Sequence, residues 1–388
     1  MVAQMIHHLG DFCWDNFGPL SYIKSEGYAA EEHIVETSDG YKLKLHRIKG
    51  NTNSTPIFLQ HGLLSSSFDW VVGGKKHGAL AFLLADEGYD VWMGNSRGNV
   101  YSSNHKSRNP NQRTFWNFSW QEMGLYDLPA EINYVKNHTK SNMIYIGHSM
   151  GTTMFYVMAS AKQDIAKKIS VMYSLSPVAF MSNSESPLRM LAPFVDEIQK
   201  FSNVLCDIDK TITPQEAFNW SEMYGFVSGK PIIKQLLDAI CSTECISFML
   251  RIVGYNENHL DLKLYDDIRS HIPTGVSLKM LTHYAQLMNS GRFAYYDYGS
   301  SKNKEKYSMP NPPDVNISKI LVPIKLISAR NDLLTHSLDI LKLKQKLPKV
   351  MLDFKVKDPE FNHIDFLYAK NARREVYDHL IHNMKNFK

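Results

Sequence analysis

Most of the chemistry in this chain is concentrated in Gly147-His148-Ser149-Met150-Gly151. These residues lie between an apolar strand pattern, Met143-Ile144-Tyr145-Ile146, and a helix-like run beginning Thr152-Thr153-Met154-Phe155-Tyr156. A G-x-S-x-G sequence between a strand and a helix makes a sharp turn. Its glycines allow close backbone packing, and its serine hydroxyl is held above the sheet edge as a nucleophile. The competing reading of Ser149 is an inert serine in a tight turn. A serine attacks well only when a base takes its proton and an acid orients that base. In this arrangement the three follow in the order Ser, Asp, His, each at the carboxyl end of a strand. Asp332 meets the rule in Ser328-Ala329-Arg330-Asn331-Asp332-Leu333-Leu334, after the strand pattern Ile324–Ile327. His363 meets it in Pro359-Glu360-Phe361-Asn362-His363-Ile364-Asp365, after the last strand pattern. The alternatives are a helix-initiating acid near Thr335 for Asp332, and a loop histidine bonded to Asp365 for His363. His336 is a rival base, expected on the helix that follows the acid.

Acyl transfer also requires donors aimed at a developing oxyanion. Gln60-His61-Gly62-Leu63 directly follows the first core strand pattern, so the backbone N–H groups of Leu63 and Met150 are the candidate oxyanion hole. The side chain of His61 is expected to support that loop, and His148 to buttress the turn. The chain contains no H-E-x-x-H, paired C-x-x-C, P-loop or dinucleotide glycine fingerprint, so no metal and no cofactor is expected. Gly94-Asn95-Ser96-Arg97-Gly98-Asn99 follows a strand pattern and reads as a structural loop beside the site rather than a phosphate cradle.

These residues need a scaffold, and the hydropathy pattern supplies one. Residues 31–48 predict a hairpin around Ser38-Asp39-Gly40. Strands are predicted at Pro56–Leu59, Tyr89–Met93, Met143–Ile146, Ile169–Tyr173, Pro323–Ile327 and Val350–Phe354. Helices are predicted at Leu80–Ala85, Glu122–Lys136 and from Thr152 onward. Such alternation implies an α/β fold with a mostly parallel central sheet and helices on both faces. The pattern breaks after Pro177. Residues 180–316 predict an inserted helical cap with a lid, between a first core part at 20–179 and a second at 317–388. Apolar clusters at Met190–Val195 and Ile246–Leu250 serve either helix packing or a movable lid.

Composition sets outer limits. The chain has 388 residues, 44% of them hydrophobic and 21% charged, with a formal charge of +4. So small a charge without a basic tract argues against nucleic acid as a main partner. Sixteen histidines make the molecule more cationic below about pH 6, which fits an acidic environment. Four cysteines are too few for a disulfide framework, although Cys241 and Cys245 are close enough for one local bridge. Asn-x-Ser/Thr sequons at Asn53, Asn117, Asn137, Asn219 and Asn316 point to a secretory route. Met1–Trp14 has no apolar core of signal-peptide length, and no uninterrupted apolar run is long enough to span a bilayer.

The motifs together resemble the acid lipase family, which includes gastric and lysosomal acid lipases and insect relatives, over roughly residues 20–385. Leu59-Gln60-His61-Gly62-Leu63-Leu64, Gly88–Asn99, Tyr126-Asp127-Leu128-Pro129-Ala130, Gly147–Thr153, Asn331-Asp332-Leu333-Leu334 and Asn362-His363-Ile364-Asp365-Phe366 carry the similarity in the family's order. The resemblance implies an α/β-hydrolase with catalytic Ser149, Asp332 and His363 and an oxyanion hole of Leu63 and Met150. It also implies cofactor-free hydrolysis of neutral lipid esters, triacylglycerol or cholesteryl ester, in a secreted or lysosomal setting. Met150 departs from the Gln of many relatives, and Ala239–Cys245 is shorter than the usual spacing between cap cysteines. A soluble carboxylesterase, another serine hydrolase on this scaffold, and a non-catalytic lipid-binding protein remain the alternatives.

Overall fold

The computed structural model describes residues 18–194, 254, 256, 258–272 and 274–387. Nine strands form one sheet: β1 (Ala30–Glu36), β2 (Tyr41–Ile48), β3 (Pro56–Gln60), β4 (Asp90–Met93), β5 (Asn104–His105), β6 (Met143–His148), β7 (Ile169–Leu175), β8 (Ile324–Ser328) and β9 (Val350–Lys355). Their order is β1-β2-β4-β3-β6-β7-β8-β9, with β5 paired to β2. The hairpin β1–β2 is antiparallel and joins β4 antiparallel, whereas every pairing from β4 through β9 is parallel. This is the mostly parallel sheet expected from the alternation.

Alternate residues of the central strands feed two separate cores. Phe58, Trp92, Met143 and Tyr145 join the cluster that also holds Met154 and Phe155 of the helix Met150–Ala161. Ile57, Leu59, Val91, Ile144 and Ile146 join the cluster that holds Leu80 and Leu84 of the helix Leu80–Asp86 and Leu380 of the helix Asp378–Met384. A strand buried on both faces reads as a continuous apolar run, which is why these segments were legible.

The predicted helix over Glu122–Lys136 is longer and less regular than its periodicity implies. It begins at Trp120, because Ser119 and Glu122 close a reciprocal capping box. A π turn spans Met123–Asp127, with the Leu128 N–H bonded to the Met123 carbonyl, before regular helix runs over Leu128–Thr139. Pro129 has no N–H and its ring would strike the carbonyl four residues back, so the wider turn accommodates it.

The described parts of the segment between β7 and β8 include helical turns at Pro187–Phe194, Leu262–Leu264, Tyr265–His271, Leu278–Ser290 and Ser300–Tyr307, joined by loops. Met280, Leu287, Met288 and Phe293 are buried in the same core cluster as Phe155 and Tyr156, so this stretch packs on the sheet's helical layer. Ile246–Leu250, Cys241, Cys245 and Asn219 lie outside the described residues, as do most side chains of the Met190–Val195 cluster.

Candidate active site

In the parallel part of the sheet the chain runs from β3 outward to β4 on one side, then returns to place β6 on the other. The carboxyl ends of β3 and β6 therefore flank a switch point, where open α/β sheets leave a crevice. Gln60 and Gly147 face each other in register there, and each strand runs directly into one of the predicted catalytic loops.

After β6 the backbone turns at Ser149, with φ +53° and ψ −117°. A residue other than glycine in that region is strained, and the surroundings hold it there. The Ser149 N–H donates to the Leu175 carbonyl at 3.1 Å, and the Ser149 carbonyl accepts from the Thr152 N–H at 2.8 Å and Oγ1–H at 2.6 Å. Both flanking glycines are required by contact. A Cβ on Gly151 would lie 2.4 Å from the Gln60 carbonyl oxygen, and one on Gly147 would lie 2.9 Å from the Gly151 carbonyl. The turn thus brings β6, the following helix and the end of β3 into backbone contact.

Asp332 and His363 come together from loops after β8 and β9. The His363 Nδ1–H donates to Asp332 Oδ2 at 2.9 Å. The other carboxylate oxygen accepts the Leu334 and Thr335 N–H groups, each at 2.9 Å, so Asp332 also organises the start of its own loop. Burial alone would raise this carboxyl. Attraction to His363 and hydrogen bonds from His363, Ser176 and Thr335 outweigh it and hold Asp332 below the usual carboxylate range. Asp365 does not bind the His363 ring. It accepts from His259 Nδ1 at 2.8 Å and from the Asn362 N–H at 2.9 Å, bracing the loop.

The His363 loop is fastened to the serine turn through His148, whose Nε2–H donates to the His363 carbonyl at 2.8 Å; the two rings are 5.0 Å apart. Burial, with the neighbouring His363 next, lowers His148 to about 3, so it is a neutral brace at ordinary pH. His336 caps the helix Ser337–Lys346 by accepting the Leu338 N–H, away from this constellation.

Gly62 packs against the serine: a Cβ there would meet His148 Nδ1 and Ser149 Cβ, each at 3.2 Å. His61 holds this loop from behind, with Nδ1–H donating to the Gly62 carbonyl at 2.7 Å and Nε2 accepting the Ser96 N–H at 3.1 Å. Burial lowers it to about 4, so it keeps that neutral form. Leu63 and Met150 line one small pocket, together with Met123, Met280, Ser96 and Arg97. Met150 begins its helix, so its N–H has no intrahelical partner, and among the described residues the Leu63 N–H meets no acceptor.

Arg97 closes the neighbouring loop. Its Nε donates to Asp127 Oδ1 at 2.7 Å and its Nη1 to Asp39 Oδ2 at 2.7 Å, with the guanidinium 3.9 Å from the centre of the Tyr41 ring. Asp127 is fully buried and Asp39 partly so, and the cation paired with both is committed to holding the loop rather than to a phosphate. Among the described residues no cluster of three or more His, Cys, Asp or Glu could hold a metal ion. Four of the five sequon asparagines, Asn53, Asn117, Asn137 and Asn316, are exposed.

Two hydroxyls were missed in the sequence. Ser176 and Thr335 both reach Asp332. A search for polar residues at every strand's carboxyl end would have found Ser176, directly after β7.

Comparison with known proteins bears on the fold and the family. A model of the partial alpha/beta-hydrolase lipase region matches residues 20–74, and one of the alpha/beta hydrolase fold matches residues 55–201. Lipase 1 of Drosophila melanogaster is 38% identical over 92% of this chain and 77% of that protein. The human lysosomal acid lipase/cholesteryl ester hydrolase is 36% identical over 96% of this chain and 92% of its own. A bacterial membrane phospholipase A superposes with a TM-score of 0.53 at 12% identity, covering 99% of this chain and 97% of that one, a likeness of fold alone. With that identity across nearly its whole length, the chain belongs to the acid lipase family of carboxylic ester hydrolases, built on the α/β-hydrolase fold.

Proposed function

We propose that the protein hydrolyses neutral lipid esters, triacylglycerol or cholesteryl ester, through an acyl-enzyme on Ser149. The observation that carries the reading is the buried Asp332–His363 hydrogen bond, fastened by His148 to a strained serine turn at the sheet's switch point. With Nδ1–H committed to Asp332, His363 Nε2 is the unprotonated nitrogen, free to take the Ser149 proton. Ser149 Oγ then bonds to the ester carbonyl carbon, and the carbonyl oxygen gains charge facing the N–H groups of Leu63 and Met150. His363 returns the proton to the leaving alcohol. Water, deprotonated by the same nitrogen, releases the fatty acid and regenerates the serine.

The choice of substrate rests on family membership. On this reading the segment between β7 and β8 contacts the lipid surface transiently. No helix among the described residues is long and apolar enough to cross a membrane. The exposed sequons and the relatives' names fit a secreted or lysosomal protein.

The test is hydrolysis of emulsified triolein, cholesteryl oleate and a short soluble ester at pH 5 and pH 8. Ser149→Ala and Asp332→Asn are run alongside, each expected to lower turnover by about 10⁴-fold. Turnover of the soluble ester alone would replace the lipase reading with a carboxylesterase. Undiminished hydrolysis by folded Ser149→Ala would remove the nucleophile.

A further inference from the structure

Ser176 follows β7 and is fully buried. Its N–H donates to the Ile327 carbonyl at 2.9 Å, which fixes its backbone between β7 and β8. Its φ is +52°, a left-handed conformation that glycine adopts freely and serine does not. The side chain occupying this strained position reaches into the Asp332–His363 pair. Its hydroxyl is hydrogen-bonded to Asp332 Oδ2, lies 2.8 Å from His363 Nδ1, and is 3.4 Å from Thr335 Oγ1.

Counting protons assigns the directions. An ionised carboxylate only accepts, and Asp332 is held ionised. The single Ser176 proton therefore points to Asp332 Oδ2, where the Thr335 hydroxyl also donates. That leaves the Ser176 oxygen with lone pairs toward His363, so its 2.8 Å contact is an N–H donating to oxygen. The imidazole Nδ1–H thus lies between two acceptors, the carboxylate and the hydroxyl oxygen.

We propose that Ser176 is a positioning residue for this pair: its oxygen gives the His363 Nδ1–H a second acceptor, locking the tautomer that leaves Nε2 free and supporting the imidazolium that forms as Ser149 attacks. The role rests on the catalytic reading above and adds to it a fourth side chain acting through His363. Asp332 contributes the full charge. Ser176 contributes a dipole whose negative end faces the ring and whose positive end faces the carboxylate, so it stiffens both partners at once.

The other groups facing His363 are accounted for. His148 packs against the ring and is neutral above about pH 3, and His61, behind it, above about pH 4. Asp365, on the same loop, is bonded to His259, which also reaches Asp358 at 3.2 Å. None of these contacts involves Ser176, so a comparison of Ser176 variants with the unmodified protein leaves their contributions in place.

The experiment compares Ser176→Gly and Ser176→Ala with the unmodified protein and with Ser149→Ala, using a soluble ester across pH 4 to 8. Both Ser176 variants lose the hydroxyl, but only the glycine relieves the positive φ. Both are expected to show kcat lowered about five- to tenfold with KM within about twofold. In both, the acid limb of kcat/KM is expected to move to lower pH by about half a unit, because the protonated ring has lost an acceptor. Thermal stability should separate them, with Gly above Ala. A limb that stays in place or moves to higher pH, or an unchanged kcat, in protein whose hydrolysis requires Ser149, overturns the role of Ser176 and leaves the catalytic reading standing. Hydrolysis that survives Ser149→Ala overturns the catalytic reading itself, and this role with it.

Discussion

Gly151→Ala sets two effects of opposite sign against each other. Gly151 is the second residue of the helix Met150–Ala161, and replacing glycine by alanine inside a helix ordinarily stabilises it by about 1 kcal/mol. Tertiary contact acts the other way. The added Cβ would lie 2.4 Å from the Gln60 carbonyl oxygen, 3.0 Å from its carbonyl carbon and 3.1 Å from its Cγ. Reaching an ordinary 3.4 Å contact with the oxygen requires about 1 Å of separation between the helix and the end of β3. The obstacle is backbone in the middle of a parallel sheet, so it cannot swing aside like a side chain. Overpacking of this kind costs about 1–3 kcal/mol; with the upper figure and the helical gain subtracted, the net loss is about 2 kcal/mol. In a protein of this size that lowers Tm by about 2–3 °C. The displaced residue leads directly into His61-Gly62-Leu63, and a shift of about 1 Å in a catalytic loop costs about 10²-fold in turnover. The assay is thermal or urea unfolding together with kcat on a soluble ester. Gly88→Ala serves as control: Gly88 has φ +84° and nothing within 4 Å of its Cβ position, so it should lose about 1 kcal/mol with kcat unchanged. A Gly151→Ala protein as stable and as active as the original would refute the packing argument.

Two further outcomes concern buried charge. Asp69 accepts from Tyr368 Oη at 2.6 Å and from the Ser65 hydroxyl, and burial raises it to about 6 from an ordinary value of 3.8, against those hydrogen bonds. The folded state therefore holds this proton more tightly than the unfolded chain. Its stabilising contribution is complete below about pH 4 and is lost as pH rises through about 6, roughly 3 kcal/mol in all. Asp69→Asn is expected to flatten that part of the stability profile between pH 4 and 7 in urea titrations; an unchanged slope would assign the pH dependence elsewhere. Arg97→Met leaves Asp127, with a fully buried side chain, without its cation. Unfolding measurements should then show a loss of about 3–5 kcal/mol, and a loss under 1 kcal/mol would mean that the buried network carries little stability.

What could be read from the sequence and what could not divide along a physical line. The parallel strands were visible because burial on both faces makes each a short apolar run, and that pattern needs no knowledge of neighbours. The strained turn at Ser149 was visible because two glycines flank one serine within five residues, and both glycines answer contacts the fold makes, Gly151 with Gln60 and Gly147 with Gly151. Asp332 and His363 were legible only as order and position after strands; their 2.9 Å hydrogen bond depends on β8 and β9 lying side by side. The helix start at Trp120 and the π turn before Pro129 were encoded in Ser119, Glu122 and Pro129, but the periodicity of the apolar face hid them.

Other features had no local signature. Ser176 is one serine among many until the sheet order puts β7 beside β8 and so carries its hydroxyl to Asp332, 156 residues away in sequence. His259 likewise reaches Asp365 across 106 residues, and no spacing rule links them. The sequence by itself determined the hydropathy alternation, the G-x-S-x-G turn and the order of the candidate catalytic residues, because each is read from neighbours within a few positions or from order along the chain. Tertiary structure alone decided which polar groups share a proton, which glycines admit no side chain and which carboxylates are neutralised. Those depend on distances of about 3 Å between segments far apart in the chain, where low dielectric makes each hydrogen bond and each unpaired charge count.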